Sequence, residues 1–122
     1  MPFEVEFYES PEGSCPVEEF ILKQDVKMQA KIYRVIELLE MKGNNLREPY
    51  SKFLGDGIFE LRAKQGGDIT RVLYFFVLGS KVVLTNGFVK KTQKTPRSEI
   101  ELAKKRRDDY VNREVNSDVE KL

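Results

Sequence analysis

Lys90, Lys91 and Lys94 crowd the end of an apolar run, VVLTNGFVKKTQKTP, and a lone aromatic, Phe88, stands just before them. Upstream, Arg62 in IFELRAK and Arg71 in DITRVLYFFVL add guanidinium groups that hold their charge at any physiological pH. Cations with one aromatic suit a single-stranded nucleic acid, because arginine and lysine hold phosphates while a ring gives a base something to stack on. RNA also carries its own nucleophile, the 2′-hydroxyl. A protein can therefore cleave it by positioning the backbone, removing that proton and stabilising the charge added at phosphorus, with no metal or other cofactor. Preorganised donors aimed at developing charge are worth about 2.7 to 4 kcal/mol each in enzymes. Crowded ammonium groups shed protons more readily, so one of Lys90, Lys91 and Lys94 is a candidate general base; the ordinary alternative is three solvated side chains.

The composition narrows the remaining chemistry. The chain has no histidine and a single cysteine, Cys15. Imidazole-based triads, acid/base pairs and the usual zinc sites are excluded, as is an internal disulfide. Cys15 reads as structural or incidental. Proton transfer must come from lysine, arginine, tyrosine or carboxylate. The net charge of +1 hides an asymmetry: residues 1–25 carry seven acids and one base, and residues 57–98 carry eight bases and two acids. Such a dipolar molecule attracts a polyanion on one side only.

At 122 residues, 40% of them hydrophobic, the chain suffices for one domain with its own core. Residues 111–122 thin out into a tail expected to fray. The longest apolar run, VLYFFVL, is too short for a bilayer span, and MPFEVEFYES is acidic where a signal peptide is basic and then apolar. The expected location is the cytoplasm, with no membrane partner.

The elements must bring the cations together. FEVEFY alternates as a short strand. Pro16 suits the first turn of a short helix containing Val17, Phe20 and Ile21. Met28, Ile32, Val35, Ile36 and Leu39 form a helical stripe from about Val26 to Lys42, which Gly43 ends. A three-stranded meander follows. A two-residue turn at Gly66 and Gly67 places Arg62 opposite Arg71, where Glu60 on the same face can neutralise one of them. A turn at Gly79 and Ser80 places Arg71 opposite Phe88 with Lys90 on the same face. Phe59, Leu61, Val72, Tyr74, Phe76, Val83 and Val89 then face the helices. Phe75, Val77, Val82 and Leu84 lie on the opposite side, roofed by a third helix with Thr95 as N-cap and Pro96 at N1. The basic end stays uncovered, and Lys64, Phe88, Lys94 and Arg97 are its candidate RNA-binding residues.

The order of these elements, with FLGDGIFELRAK, TRVLYFFV, VVLTNGFVKKTQKTP and EIELAKKRRDDY, resembles the HigB-type toxins of the RelE superfamily from about Phe3 to Tyr110. The resemblance implies an α+β, RelE-like fold in the order β-α-α-β-β-β-α, with the N-terminal strand and two helices packed on an antiparallel sheet and a C-terminal helix. It implies metal-independent, ribosome-associated mRNA cleavage, restrained by a HigA-like antitoxin with a helix-turn-helix domain that links the pair to operator DNA. By position, Arg71 matches the family's phosphate-stabilising arginine. Arg62, Lys90 and Lys91 match its other basic site residues, and Lys52 matches an RNA contact in the loop before the arginine-bearing strands. The C-terminal tyrosine that assists catalysis in some members has no secure counterpart, since Tyr110 lies well along its helix, where packing is its ordinary role. The alternative is a binding module of the same fold without the chemistry, acting as a gyrase inhibitor or as a corepressor bound to its antitoxin.

Overall fold

A computed structural model describes residues 2–77, 79–89 and 94–120, the side chains of 116–120 excepted. The architecture is α+β. Strand β1 (Glu4–Phe7) leads to helices α1 (Pro16–Leu22) and α2 (Val26–Lys42), and a single 3-10 turn over Gly43–Asn45 closes α2. Strands β2 (Ser51–Gly55), β3 (Ile58–Gln65), β4 (Asp68–Val77) and β5 (Lys81–Val89) follow, then helix α3 (Arg97–Glu120). They make a five-stranded sheet in the order β1-β5-β4-β3-β2. It is mixed rather than antiparallel, because β1 pairs in parallel with β5.

The stripe on α2 is buried as its spacing requires, with Ile32 and Leu39 at 0% exposure. Asp25 starts the helix by accepting a 2.8 Å hydrogen bond from the Met28 N–H. Gly43 stops it at φ 52°, and any Cβ there would lie 2.0 Å from the Phe3 ring that packs against this end. Leu61, Ala63, Val72 and Tyr74 meet α1 and α2 across one sheet face. The other face joins Ile58, Leu73, Phe75 and Val83 to Ala103 and Tyr110 of α3.

Three expectations need correction. The meander has a fourth strand: Asp56 (φ 51°) and Gly57 (φ 79°) form a tight turn that pairs β2 with β3. Positive φ at both central residues is what a two-residue hairpin turn of the primed type needs, and Asp-Gly supplies it. Second, Val82 and Leu84 lie on the α1/α2 face and Val83 on the α3 face, the reverse of the expected parity. At the hairpin tip Val77 pairs with Lys81, so the connection holds three residues instead of two. A bulge then leaves Thr85 without a partner between the Tyr74–Leu84 and Leu73–Asn86 pairs, which restores the expected register beyond it. Arg106 of α3 donates a 2.9 Å hydrogen bond to the Thr85 carbonyl that the bulge frees.

Third, Thr95 does not cap α3. The Pro96 carbonyl accepts the first helical hydrogen bonds, from Glu99 and Ile100, and the Thr95 side chain turns toward the sheet. Helix α3 itself continues past Tyr110 to Glu120.

Candidate nucleic-acid interface

The β3–β4 hairpin turns through Gly66 at φ 62°, which fixes Gln65 against Asp68 and Arg62 against Arg71. Arg71 in turn faces Phe88 on β5. Two guanidinium groups side by side repel. Glu60, one pleat back on the same face, lies between them: Arg62 Nε donates to its Oε2 at 2.9 Å and Arg71 Nη1 to its Oε1 at 2.8 Å. Thr95 joins the group by donating its hydroxyl to Glu60 Oε1 and accepting from Arg71 Nη1 at 3.0 Å.

The side chain of Glu60 is 0% exposed and that of Arg71 only 2%. Arg71 is therefore covered, contrary to the expectation that it stands on an open patch, while Lys52, Lys64, Lys94 and Arg97 around it are exposed. Burying an ion pair is costly unless every group finds a partner, so the carboxylate and the hydroxyl are drawn onto the arginine, and residues 94–97 come with them.

One edge of Arg71 escapes this compensation. Its Nε and Nη2 are buried, yet neither has a hydrogen-bond partner among the described residues. These two N–H groups point the same way from a planar fork, the geometry that grips two oxygens of one phosphate or carboxylate. Arg71 also lines two clefts. The first, of about 650 Å³, gathers Lys52, Lys94 and Arg97 around it, over Leu54 and Ile100. The second, of about 570 Å³, opens toward α2 with Arg62 and Lys64.

A family profile described as "Phage derived protein Gp49-like (DUF891)" matches residues 19–108. The chain belongs to that family. The Gp49-like proteins are RelE/HigB-like toxins associated with toxin-antitoxin pairs, so an antitoxin partner is implied. No curated protein matches the chain. The matched segment of this Gp49-like chain spans α1 to α3 and contains all the site elements described above.

Within this Gp49-like fold, the sequence-derived candidates divide into several groups. Arg62, Arg71 and Phe88 stand in one row across the sheet. Lys52 belongs to β2 rather than to a loop, and pairs with Glu60 one row along. Lys94 and Arg97 reach the first cleft from the start of α3, and Lys64 lies in the second. Phe88 is not an open stacking platform, because its ring packs into the cluster of Ile58, Leu73 and Phe75. Lys90 and Lys91 lie outside the described residues.

Cys15 and Tyr110 line neither cleft. Burial pushes the Cys15 thiol up from its ordinary pKa, which disfavours the reactive thiolate. Burial, followed by the hydrogen bond to Glu6 at 2.8 Å, raises the Tyr110 hydroxyl to about 12, far from the arginines. Sequence reasoning missed Thr95 as a site residue and gave Glu60 only an optional part. It also missed Tyr50, Lys31 and Arg34, which line the second cleft. The Asp56-Gly57 dipeptide, read as a hairpin, would have placed Tyr50 beside β3; no comparable signal marks Thr95.

Proposed function

We propose that this Gp49-like chain is a HigB-type toxin with a RelE-like fold, acting in the cytoplasm as a metal-independent endoribonuclease on mRNA held by the ribosome. The observation that carries the reading is Arg71, which lines two cation-lined clefts and whose Nε and Nη2 have no hydrogen-bond partner among the described residues. In the reaction the 2′-oxygen bonds to phosphorus as its proton passes to a base, and the bond from phosphorus to the 5′-oxygen breaks as that oxygen takes up a proton. The products are a 2′,3′-cyclic phosphate and a 5′-hydroxyl. Arg71 grips the non-bridging oxygens as they gain charge, and Glu60 and Thr95 hold its other edge in place. Arg62, Lys90 and Lys91 complete the proposed catalytic set. Lys52, Lys64, Lys94 and Arg97 bind the flanking backbone. A HigA-like helix-turn-helix antitoxin restrains the toxin and carries it to operator DNA.

A second reading, the non-catalytic module, draws on one observation: Glu60 neutralises Arg71 before any phosphate arrives. Inducing the chain with and without the neighbouring gene product, and mapping RNA ends on translated messages, separates the two. Arg71→Lys keeps a cation beside Glu60 but removes the two-pronged edge, so the nuclease reading expects new RNA ends from wild type and none from this variant. Growth arrest by wild type without new ends, or full cleavage by Arg71→Lys, overturns it.

A further inference from the structure

The geometry points to a nucleotide subsite at the open edge of β3, where a base of single-stranded RNA stacks on Tyr50 and its flanking phosphates lie against Lys31, Arg34 and Lys64. This inference rests on the RNA-cleaving reading for its class of ligand.

The subsite follows from unequal strand lengths. β2 begins at Ser51, and the Tyr50 carbonyl accepts from the Arg62 N–H at 2.8 Å as the last link to β3. β3 runs on to Gln65 with no strand beside it on that side among the described residues. The gap is walled by α2, whose Lys31, Arg34, Val35 and Leu38 share one helical stripe. The resulting cleft, about 570 Å³, falls in the roughly 300–1,000 Å³ range of small-ligand sites.

Its lining is divided in a way that suits a nucleotide. Val35, Leu38, Pro49 and Ile69 give it apolar surface for a flat uncharged group. Tyr50 adds an aromatic ring that is 45% exposed, where the Phe88 ring is engaged in packing. Lys31, Arg34 and Lys64 are exposed cations, and no acidic side chain lines the cleft among the described residues. An acidic peptide would use the cations and leave the apolar surface bare; a nucleotide uses both. Arg71, 2% exposed and with two N–H donors that have no partner among the described residues, forms the wall shared with the first cleft. A strand crossing from one cleft to the other passes its scissile phosphate over that fork.

The test measures binding of the full chain to a fluorescein-labelled single-stranded RNA of about ten nucleotides. The RNA is 2′-O-methylated so that it is not cut, and fluorescence anisotropy is followed over a salt series. Tyr50→Ala should weaken binding about tenfold with an unchanged salt slope, and Tyr50→Phe should bind as wild type. The double variant Lys31→Ala/Arg34→Ala should flatten the slope of log affinity against log salt by about 1.4, the loss of two phosphate contacts to a single strand. All these side chains are exposed, and urea unfolding midpoints serve as the folding control.

Wild-type binding by Tyr50→Ala overturns the subsite. If Lys52→Ala/Arg97→Ala then still weakens binding, the RNA reading survives without it. Failure of wild type to bind the RNA even at low salt overturns the subsite, while the nuclease reading stands or falls on new RNA ends in translated messages. An oligoglutamate peptide of similar length that outcompetes the RNA would mark the cleft as a place for an acidic protein segment, and likewise overturns the subsite.

Discussion

The two faces of the sheet are built on opposite terms. Under α1 and α2 the buried residues are apolar almost throughout, from Val17 and Ile21 to Leu61, Val72 and Leu84. Under α3 a smaller apolar cluster fills one end only. The other end is occupied by Glu60, Arg71 and Thr95, with Asn86 beside them donating to Glu99 Oε1 at 3.0 Å. Apolar burial stabilises the fold wherever it occurs, whereas a buried ion pair contributes little net stability and exacts a large penalty when broken. The first face accounts for why the chain folds. The second holds a buried ion pair whose arginine keeps two N–H groups without a partner among the described residues.

The sharpest way to break this contrast is at Glu60. Glu60→Ala strips the carboxylate from two arginines and should lower stability by about 3–5 kcal/mol, read as a shift of the urea midpoint. Replacing the whole group, Glu60→Leu with Arg62→Met and Arg71→Met, should leave stability equal or higher while RNA cleavage is lost. A large loss of stability in the triple variant would show that the polar end holds the fold after all. On the other face, Ile32→Ala should cost about 2–5 kcal/mol, because it removes buried methyl groups and leaves a cavity.

Smaller effects sharpen the picture at the far end of α3. Tyr110→Phe should cost about 1 kcal/mol near neutral pH through loss of the hydrogen bond to Glu6. The Tyr110 hydroxyl titrates at about 12 in the folded chain and at about 10 in the unfolded one. The unfolded chain thus loses this proton first, so the wild-type advantage is complete below pH 10 and declines as pH rises toward 12. Unfolding curves of the two proteins across that window check the sign. Least of all, Lys104→Ala should change stability by under about 1 kcal/mol, since its 3.1 Å pair with Asp56 is an exposed one.

Much of this was legible in the chain. Helix α2 runs from Val26 to Lys42 as its apolar stripe requires, and Arg62 faces Arg71 as Gly66 and Gly67 imply, whereas Phe88 reaches Arg71 only because the bulge at Thr85 offsets the three-residue tip. Periodicity and turn chemistry are local, and both were present in the sequence. The burial of Arg71 was not, because it depends on Thr95, 24 positions away, folding back onto Glu60. The cleft beside β3 was missed for a related reason. It exists because β2 is shorter than its neighbour, a relation between two strands that neither announces alone.

The extra residue at the hairpin tip and the bulge at Thr85 offset each other. Between them, only Lys81 to Leu84 carry the shifted alternation, so the chain has exchanged which aliphatic groups feed each layer while leaving Arg71 aligned with Phe88. Shortening the tip by one residue would keep Val77 opposite Lys81 across a two-residue loop, and deleting Thr85 would set Leu84 and Asn86 side by side opposite Tyr74 and Leu73. Either change alone should therefore spare the alignment of Arg71 with Phe88, and the loss of Thr85 is felt instead at the carbonyl that Arg106 holds.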